Sequence, residues 1–161
     1  MRHHSRRLFV LASCFSLALL LGCSGASESK LPAPKPMPSG VSFAGKWYST
    51  QFEHMYLRQV GDSVRGIYTY KYGGTLEGKV NGNLLVFDWI DPGETKYATR
   101  TRKGKGYFQL TTDKNGNAII VGKWGYNKSH QDGGIWKAEW VRDMDSDDPR
   151  SLKEWRDKEV R

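Results

Sequence analysis

Apolar and polar residues alternate along most of the chain between residues 43 and 142. Successive side chains of a β-strand point to opposite faces, so a period of two indicates strands that are buried on one face only. The alternation is broken by short clusters of glycine, asparagine and aspartate. It predicts eight strands, at 43–50, 54–60, 63–72, 75–80, 84–90, 107–113, 118–126 and 135–142.

The residues between these segments are typical of tight hairpin turns. Pairs such as Asn81-Gly82 and Asn115-Gly116 supply the positive φ angles that two-residue hairpin loops require. No stretch between the strands has a helical period, so neighbours in sequence should pair antiparallel. The pattern therefore predicts an all-β fold, a small eight-stranded antiparallel up-and-down meander that closes into a barrel.

An internal repeat indicates how tightly the barrel closes. The pattern apolar-x-Gly-x-apolar occurs at 43–47, 64–68, 76–80 and 120–124. In each copy the two apolar residues and the glycine share one face of the strand. We therefore expect an inner face on which large residues alternate with glycines, as a narrow barrel needs.

The N-terminus has the composition of an export signal. Arg2, Arg6 and Arg7 precede an apolar run at 8–21, which is too short to cross a membrane as a helix. The run ends at Leu20-Leu21-Gly22-Cys23, which resembles the lipobox of bacterial lipoproteins. That resemblance implies cleavage before Cys23 and attachment of diacylglyceryl and an acyl chain such as palmitate to it. The alternative is an ordinary secretory signal with a chance cysteine.

The same resemblance implies where the protein resides. The expected location is the cell envelope, with the lipid of Cys23 as membrane anchor. Residue 24 is serine, not the aspartate that retains many enterobacterial lipoproteins in the inner membrane, which favours the outer membrane. Residues 5–10 also resemble the twin-arginine export motif, so export by that route or by the general secretory route stays open.

Composition divides the remainder of the chain. The formal charge is +8, and the three leader arginines leave +5 for the mature part. Cys14 leaves with the leader, so no disulfide is expected. We predict a signal peptide at 1–22, a lipidated cysteine and Pro-rich spacer at 23–40, a barrel domain at 41–143 and a charged tail at 144–161. The apolar residues of that tail are few, namely Leu152, Trp155 and Val160. We therefore expect either a short helix on the barrel wall or a frayed end.

The first predicted strand adds a family resemblance. Phe43-Ala44-Gly45-Lys46-Trp47-Tyr48 is similar to the Gly-x-Trp motif that opens the barrel of the lipocalins and their calycin relatives, including the avidin branch. The resemblance implies that Trp47 plugs the closed end of the barrel. It also implies that an arginine at the end of the last strand, here Arg142, covers that tryptophan.

Large aromatic residues on the predicted inner face are the candidates for binding a small apolar or planar ligand at the barrel mouth. The alternative is that they fill the interior as a packed core. These candidates are Tyr68, Tyr70, Trp89, Trp124, Trp136 and Trp140.

A basic cluster in the predicted loop 91–106 is the candidate for contact with an anionic envelope component, such as a lipid headgroup. The alternative is a solvated loop without a partner, and nucleic acid is not expected. The cluster consists of Lys96, Arg100, Arg102, Lys103 and Lys105.

Catalytic chemistry has little support in the sequence. His54 and His130 are the histidines of the mature chain, and no metal-binding or nucleophile motif accompanies them. We therefore expect a non-catalytic binding protein without metal or cofactor. The alternatives are a structural lipoprotein whose solid barrel docks a partner protein, and an enzyme inhibitor.

Overall fold

The computed structural model describes residues 30–93 and 101–142. Eight strands form a single sheet, in which each strand pairs antiparallel with the next and β8 pairs with β1. The predicted all-β, up-and-down eight-stranded barrel is therefore confirmed. The strands are β1 (Gly45–Ser49), β2 (Glu53–Val60), β3 (Ser63–Tyr68), β4 (Gly74–Asn81), β5 (Leu84–Asp91), β6 (Arg102–Thr112), β7 (Ala118–Tyr126) and β8 (Gly134–Arg142).

Within the described ranges the chain contains no helix. The predicted signal peptide, the lipidated Cys23 and the predicted tail at 144–161 lie outside these ranges. So do Lys96 and Arg100 of the basic cluster and the side chain of Arg142.

Glycine forms the tightest turns. The β2–β3 turn is Gly61-Asp62 and the β4–β5 turn is Gly82-Asn83, with φ angles of 59° and 54° at the two glycines. Glycine at the first central position is typical of a type II′ hairpin turn. The β4–β5 turn lies one residue later than the sequence predicts, because Asn81 pairs with Leu84 as the last rung of the ladder.

The interior is built from aromatic rings that lie opposite glycines. Phe87 pairs with Gly78 on one side and with Gly106 on the other, and Trp89 pairs with Gly104. Phe108 and Trp136 both pair with Gly122. A Cβ atom at Gly122 would overlap the carbonyl oxygen of Tyr107, so a larger residue there would force the strands apart. Glycines thus provide the space that the rings fill.

Trp47 is fully buried at one end of the interior. It is 0% exposed, and its indole Nε1–H donates to the carbonyl oxygen of Phe43 at 2.9 Å. Phe43 is also fully buried, and its backbone N–H donates to Gln59 Oε1 at 3.0 Å. Trp47 and Phe43 thus fill the end at which β1 begins, which we call the closed end. The backbone of Arg142 lies opposite Lys46 at this end.

Part of the predicted spacer is bound to the barrel. The backbone of Lys35 donates to Asn83 Oδ1 and accepts from the Asn83 N–H, both at 2.8 Å. The carbonyl oxygen of Ala33 accepts from Gln109 Nε2 at 3.1 Å, and Met37 packs against the core. The later part of the predicted spacer at 23–40 is thus in contact with the barrel. Residues 33–37 form a strap across the closed end, since the buried Asn83 presents hydrogen-bonding groups to an extended backbone.

We expect Trp47→Ala to lower the free energy of unfolding by about 3–5 kcal/mol, because it empties a fully buried site. Its register partner Trp140 is 42% exposed, so Trp140→Ala is the matched control and should cost much less. Urea denaturation of both variants measures the difference. Equal midpoints would contradict the plug role of Trp47.

Candidate functional site

Aromatic residues gather at the end of the barrel opposite the closed end. Four connections meet there: β1–β2, β3–β4, β5–β6 and β7–β8. We call this end the mouth. It is lined by Phe52, Tyr68, Tyr70, Trp89, Asp91, Arg102, Trp124, Tyr126 and Trp136. Seven of these nine side chains are aromatic, so the mouth is a cup of rings with one acid and one base.

Trp136 forms the floor of the cup. It is 2% exposed, and the ring of Phe52 lies over it with a centroid distance of 4.3 Å and an interplanar angle of 35°. Tyr68 and Phe108 meet it edge to face at 5.4 and 5.2 Å. Such edge-to-face contacts are favourable and hold a ring in one orientation. The indole Nε1 of Trp136 is buried without a hydrogen-bond partner among the described residues.

A second group of rings forms the wall on the side of β5 and β7. Trp124 lies 5.6 Å from Trp89 and 5.1 Å from Tyr126, in both cases close to edge to face. The Trp89 indole N–H donates to the carbonyl oxygen of Gly125 at 3.1 Å. Trp89 is therefore held firmly, whereas Trp124 is only partly buried and presents part of its ring to the mouth.

The acid and base of the mouth form an ion pair across two strands. Asp91 ends β5 and Arg102 begins β6, and the two are register partners. The Asp91 carboxylate is buried, accepts from Arg102 Nη2 and also accepts from the Gly93 N–H at 2.9 Å. Burial alone lowers the pKa of Arg102, but the hydrogen bond and charge of Asp91 outweigh it and raise that pKa. The pair places a fixed polar group beside the rings.

The space left in the mouth is small. The cavity has a volume of about 50 Å³. A buried water needs about 10–15 Å³ measured in this way, and drug-sized ligands occupy pockets of about 300 Å³ or more. In this conformation the mouth therefore admits a few waters, and a ring-sized molecule requires one side chain to move.

The structure brings together five of the six predicted aromatic candidates. Tyr68, Tyr70, Trp89, Trp124 and Trp136 line the mouth. Trp140 does not, and its assignment to an inner mouth is wrong. It lies at the closed end, in a groove with Gly40, Val41 and Ala118, among other residues. Trp140 pairs with Trp47 and lies four residues beyond Trp136 along β8, so it is at the end of the barrel away from the mouth.

The sequence did not identify Phe52, Asp91 and Tyr126 as site residues, and it assigned Arg102 to the basic cluster rather than to the mouth. Phe52 lies in a turn, where alternation gives no information. Asp91 and Arg102 were assigned to a loop, although they pair as β5 and β6. The alternation could have identified Tyr126, because it follows Trp124 by two residues at the end of the same strand.

The basic cluster differs from the predicted loop. Arg102, Lys103 and Lys105 lie on β6, which begins before the predicted position 107. Arg102 pairs with Asp91, and Lys105 Nζ lies 2.6 Å from Asp88 Oδ1. Lys103 is exposed. Two of the three described cations are thus balanced by acids, which weakens the local positive potential.

The remaining candidate chemistry is sparse in the described ranges. His54 lies on the outer face between Tyr48 and Tyr56, with ring centroids 5.3 and 6.4 Å away. Residues 30–93 and 101–142 hold no group of three histidine, cysteine or acidic side chains placed to bind a metal. Across the same residues, no helix has the length and apolar character that spanning a bilayer requires.

No protein-family model, curated protein or solved structure matches the chain. The closed antiparallel barrel is compatible with a calycin-like fold. A ligand-binding role is therefore inferred from the residues of the mouth itself.

Burial, followed by the charge of Asp91, raises the pKa of the Tyr68 hydroxyl above its ordinary value of 10.0. Above pH about 10 the unfolded chain loses this proton while the folded chain keeps it, so stability falls as pH rises. We expect Tyr68→Phe to reduce this alkaline loss of unfolding free energy, measured in urea between pH about 9 and 11. Tyr72→Phe, at an exposed site, should leave the slope unchanged. Parallel curves for wild type and Tyr68→Phe would contradict the burial argument.

Proposed function

We propose that this protein is a lipid-anchored, non-catalytic binding protein of the bacterial cell envelope, and that it takes a small hydrophobic, ring-bearing ligand at the mouth. The observation that carries this proposal is the asymmetry of the barrel. One end is filled by Trp47 and Phe43, whereas the other collects seven rings around a small open cup.

The exposure of the rings supports a binding role over a purely structural one. Phe52, Tyr70 and Trp124 are only partly buried, so the mouth keeps apolar ring surface in contact with water. Covering such surface with a ligand is favourable, at about 25 cal/mol per Å² of apolar area. The Asp91–Arg102 pair adds the fixed polar contact that orients ligands in mostly apolar sites.

The proposed anchor is compatible with an accessible mouth. The strap is bound to the barrel from Ala33 onward, near the closed end. About ten residues then separate it from Cys23, and these reach at most about 36 Å when fully extended. The chain therefore leaves the barrel at the end opposite the mouth, and the strap does not cover the mouth. In this proposal the lipid holds the protein in the outer membrane.

A second candidate is a structural or interaction lipoprotein whose solid barrel docks a partner protein. The small cavity volume favours it, because the core beneath Trp136 is already packed by Phe87 and Phe108. An anionic envelope component at the basic cluster is less favoured, because Arg102 and Lys105 are paired with acids.

Native mass spectrometry of the full-length protein, extracted from its own envelope, tests the proposed function. We expect wild type to carry a bound small molecule, and Trp124→Ala to lose most of it because part of the wall is removed. Tyr72→Ala changes an exposed aromatic residue of the β3–β4 turn that does not line the mouth cavity and should retain the ligand. A wild-type spectrum showing only protein and its lipid would favour the solid barrel.

We expect Cys23→Ala to release the protein from membranes while the barrel stays folded. Each buried methylene of a lipid chain contributes about 0.8 kcal/mol, so the acyl chains dominate membrane partition. Membrane sedimentation and incorporation of labelled palmitate measure the effect. A variant that sediments and incorporates label like wild type would show that the lipobox interpretation is wrong.

A further inference from the structure

We propose that Phe52 is a displaceable stopper, whose ring holds the position that a ligand ring takes on Trp136. The ligand class is an uncharged planar ring about the size of benzene. This inference rests on the proposed function of the mouth and specifies what the mouth binds.

The contacts of Phe52 describe the ring site. Its ring lies 4.3 Å from Trp136 at a small interplanar angle, and meets Tyr70 and Trp124 edge to face at 5.5 and 5.8 Å. One ring is thus held over a floor and between two walls, which is the usual arrangement for an aromatic guest. The position accepts a flat ring because a flat ring occupies it now.

Phe52 is attached differently from the floor on which it lies. Trp136 is on β8 and is almost fully buried. Phe52 is on the β1–β2 turn and is partly exposed, and its backbone is held by a 3.3 Å hydrogen bond from its N–H to Ser49 Oγ. A ring on a turn leaves its site by a local change of the turn, whereas a ring on a barrel strand cannot.

The turn also has an unusual backbone conformation. Glu53, directly after Phe52, has a φ angle of 59°. Left-handed conformation is uncommon outside glycine, asparagine and aspartate. The turn is also linked to Thr69, whose Oγ1 donates to Glu53 Oε2 at 3.2 Å.

Volume and charge define the ligand class. About 50 Å³ is open with Phe52 in place, so a ring of benzene size enters only as the Phe52 ring leaves. The charged groups that line the mouth, Asp91 and Arg102, neutralise each other. A net charge on the ligand would be desolvated among rings without a free counter-ion in the described mouth, which is costly.

Titration of full-length protein with three single-ring probes tests this inference. The probes are benzyl alcohol, benzoate and benzylammonium, which share a ring and differ in charge. Binding is followed by the nitrogen-15 NMR signal of the Trp136 indole N–H. We expect Phe52→Ala to bind benzyl alcohol about tenfold tighter than wild type, because the apparent affinity of wild type is reduced by the fraction of closed mouths. Phe52→Leu removes the planar ring with less loss of bulk and should change affinity in the same direction.

Tyr72→Ala is the matched control, since it removes an exposed ring from the β3–β4 turn; its affinity should equal that of wild type. If Phe52→Ala and Phe52→Leu bind benzyl alcohol no tighter than wild type, the stopper role proposed for Phe52 is wrong. The mouth would then still be a binding site. If a charged probe binds tightest, the ligand class is wrong. If no protein binds any probe, the proposed function of the mouth itself fails.

Discussion

The packing of aromatic rings against glycines is the constraint on which the barrel depends. Eight strands enclose a narrow interior, and several of its large rings lie opposite residues that have no side chain. Phe87 between Gly78 and Gly106 is the clearest case, and Trp89 opposite Gly104 repeats it. The described part of the barrel therefore has a packed core without a disulfide, built from these rings together with aliphatic side chains such as Leu57, Leu85 and Ile120.

The same packing explains why the two ends differ. At the closed end, Trp47 bonds to the Phe43 carbonyl and the strap crosses the β4–β5 turn, so backbone covers the core. At the mouth the strands end, and the rings of Trp124, Phe52 and Tyr70 are only partly buried. No backbone segment of the described chain plays the part of the strap there. This difference is the reason for proposing that a ligand binds at the mouth and not at the closed end.

The strap connects the proposed anchor to the fold. Asn83 is buried and uses its side chain twice, accepting from Lys35 and donating to the Leu110 carbonyl at 2.9 Å. Gly82 beside it tolerates the close approach of the Lys35 carbonyl, which a Cβ would block. A chain that leaves the barrel at this point attaches the closed end, rather than the mouth, to whatever holds residue 23.

Alternation and turn residues in the sequence determined the number of strands, their order and the face that each buries. These are local properties, because a period of two and a glycine with positive φ act within a few residues. They placed Trp89 and Trp136 inside correctly. The choice between a cavity and a packed interior was left open, because it depends on the volumes of residues far apart in sequence.

Only the tertiary structure decided the composition of the mouth. Asp91 and Arg102 meet because β5 and β6 continue in register past the predicted strand ends, and Phe52 enters from a turn with a left-handed residue. Trp140 pairs with Trp47 where β1 and β8 close the barrel, so it lies at the closed end and not at the mouth. Closure joins the first strand to the last, so its register is set by contacts between residues about ninety positions apart, and no local pattern in the sequence contains that information.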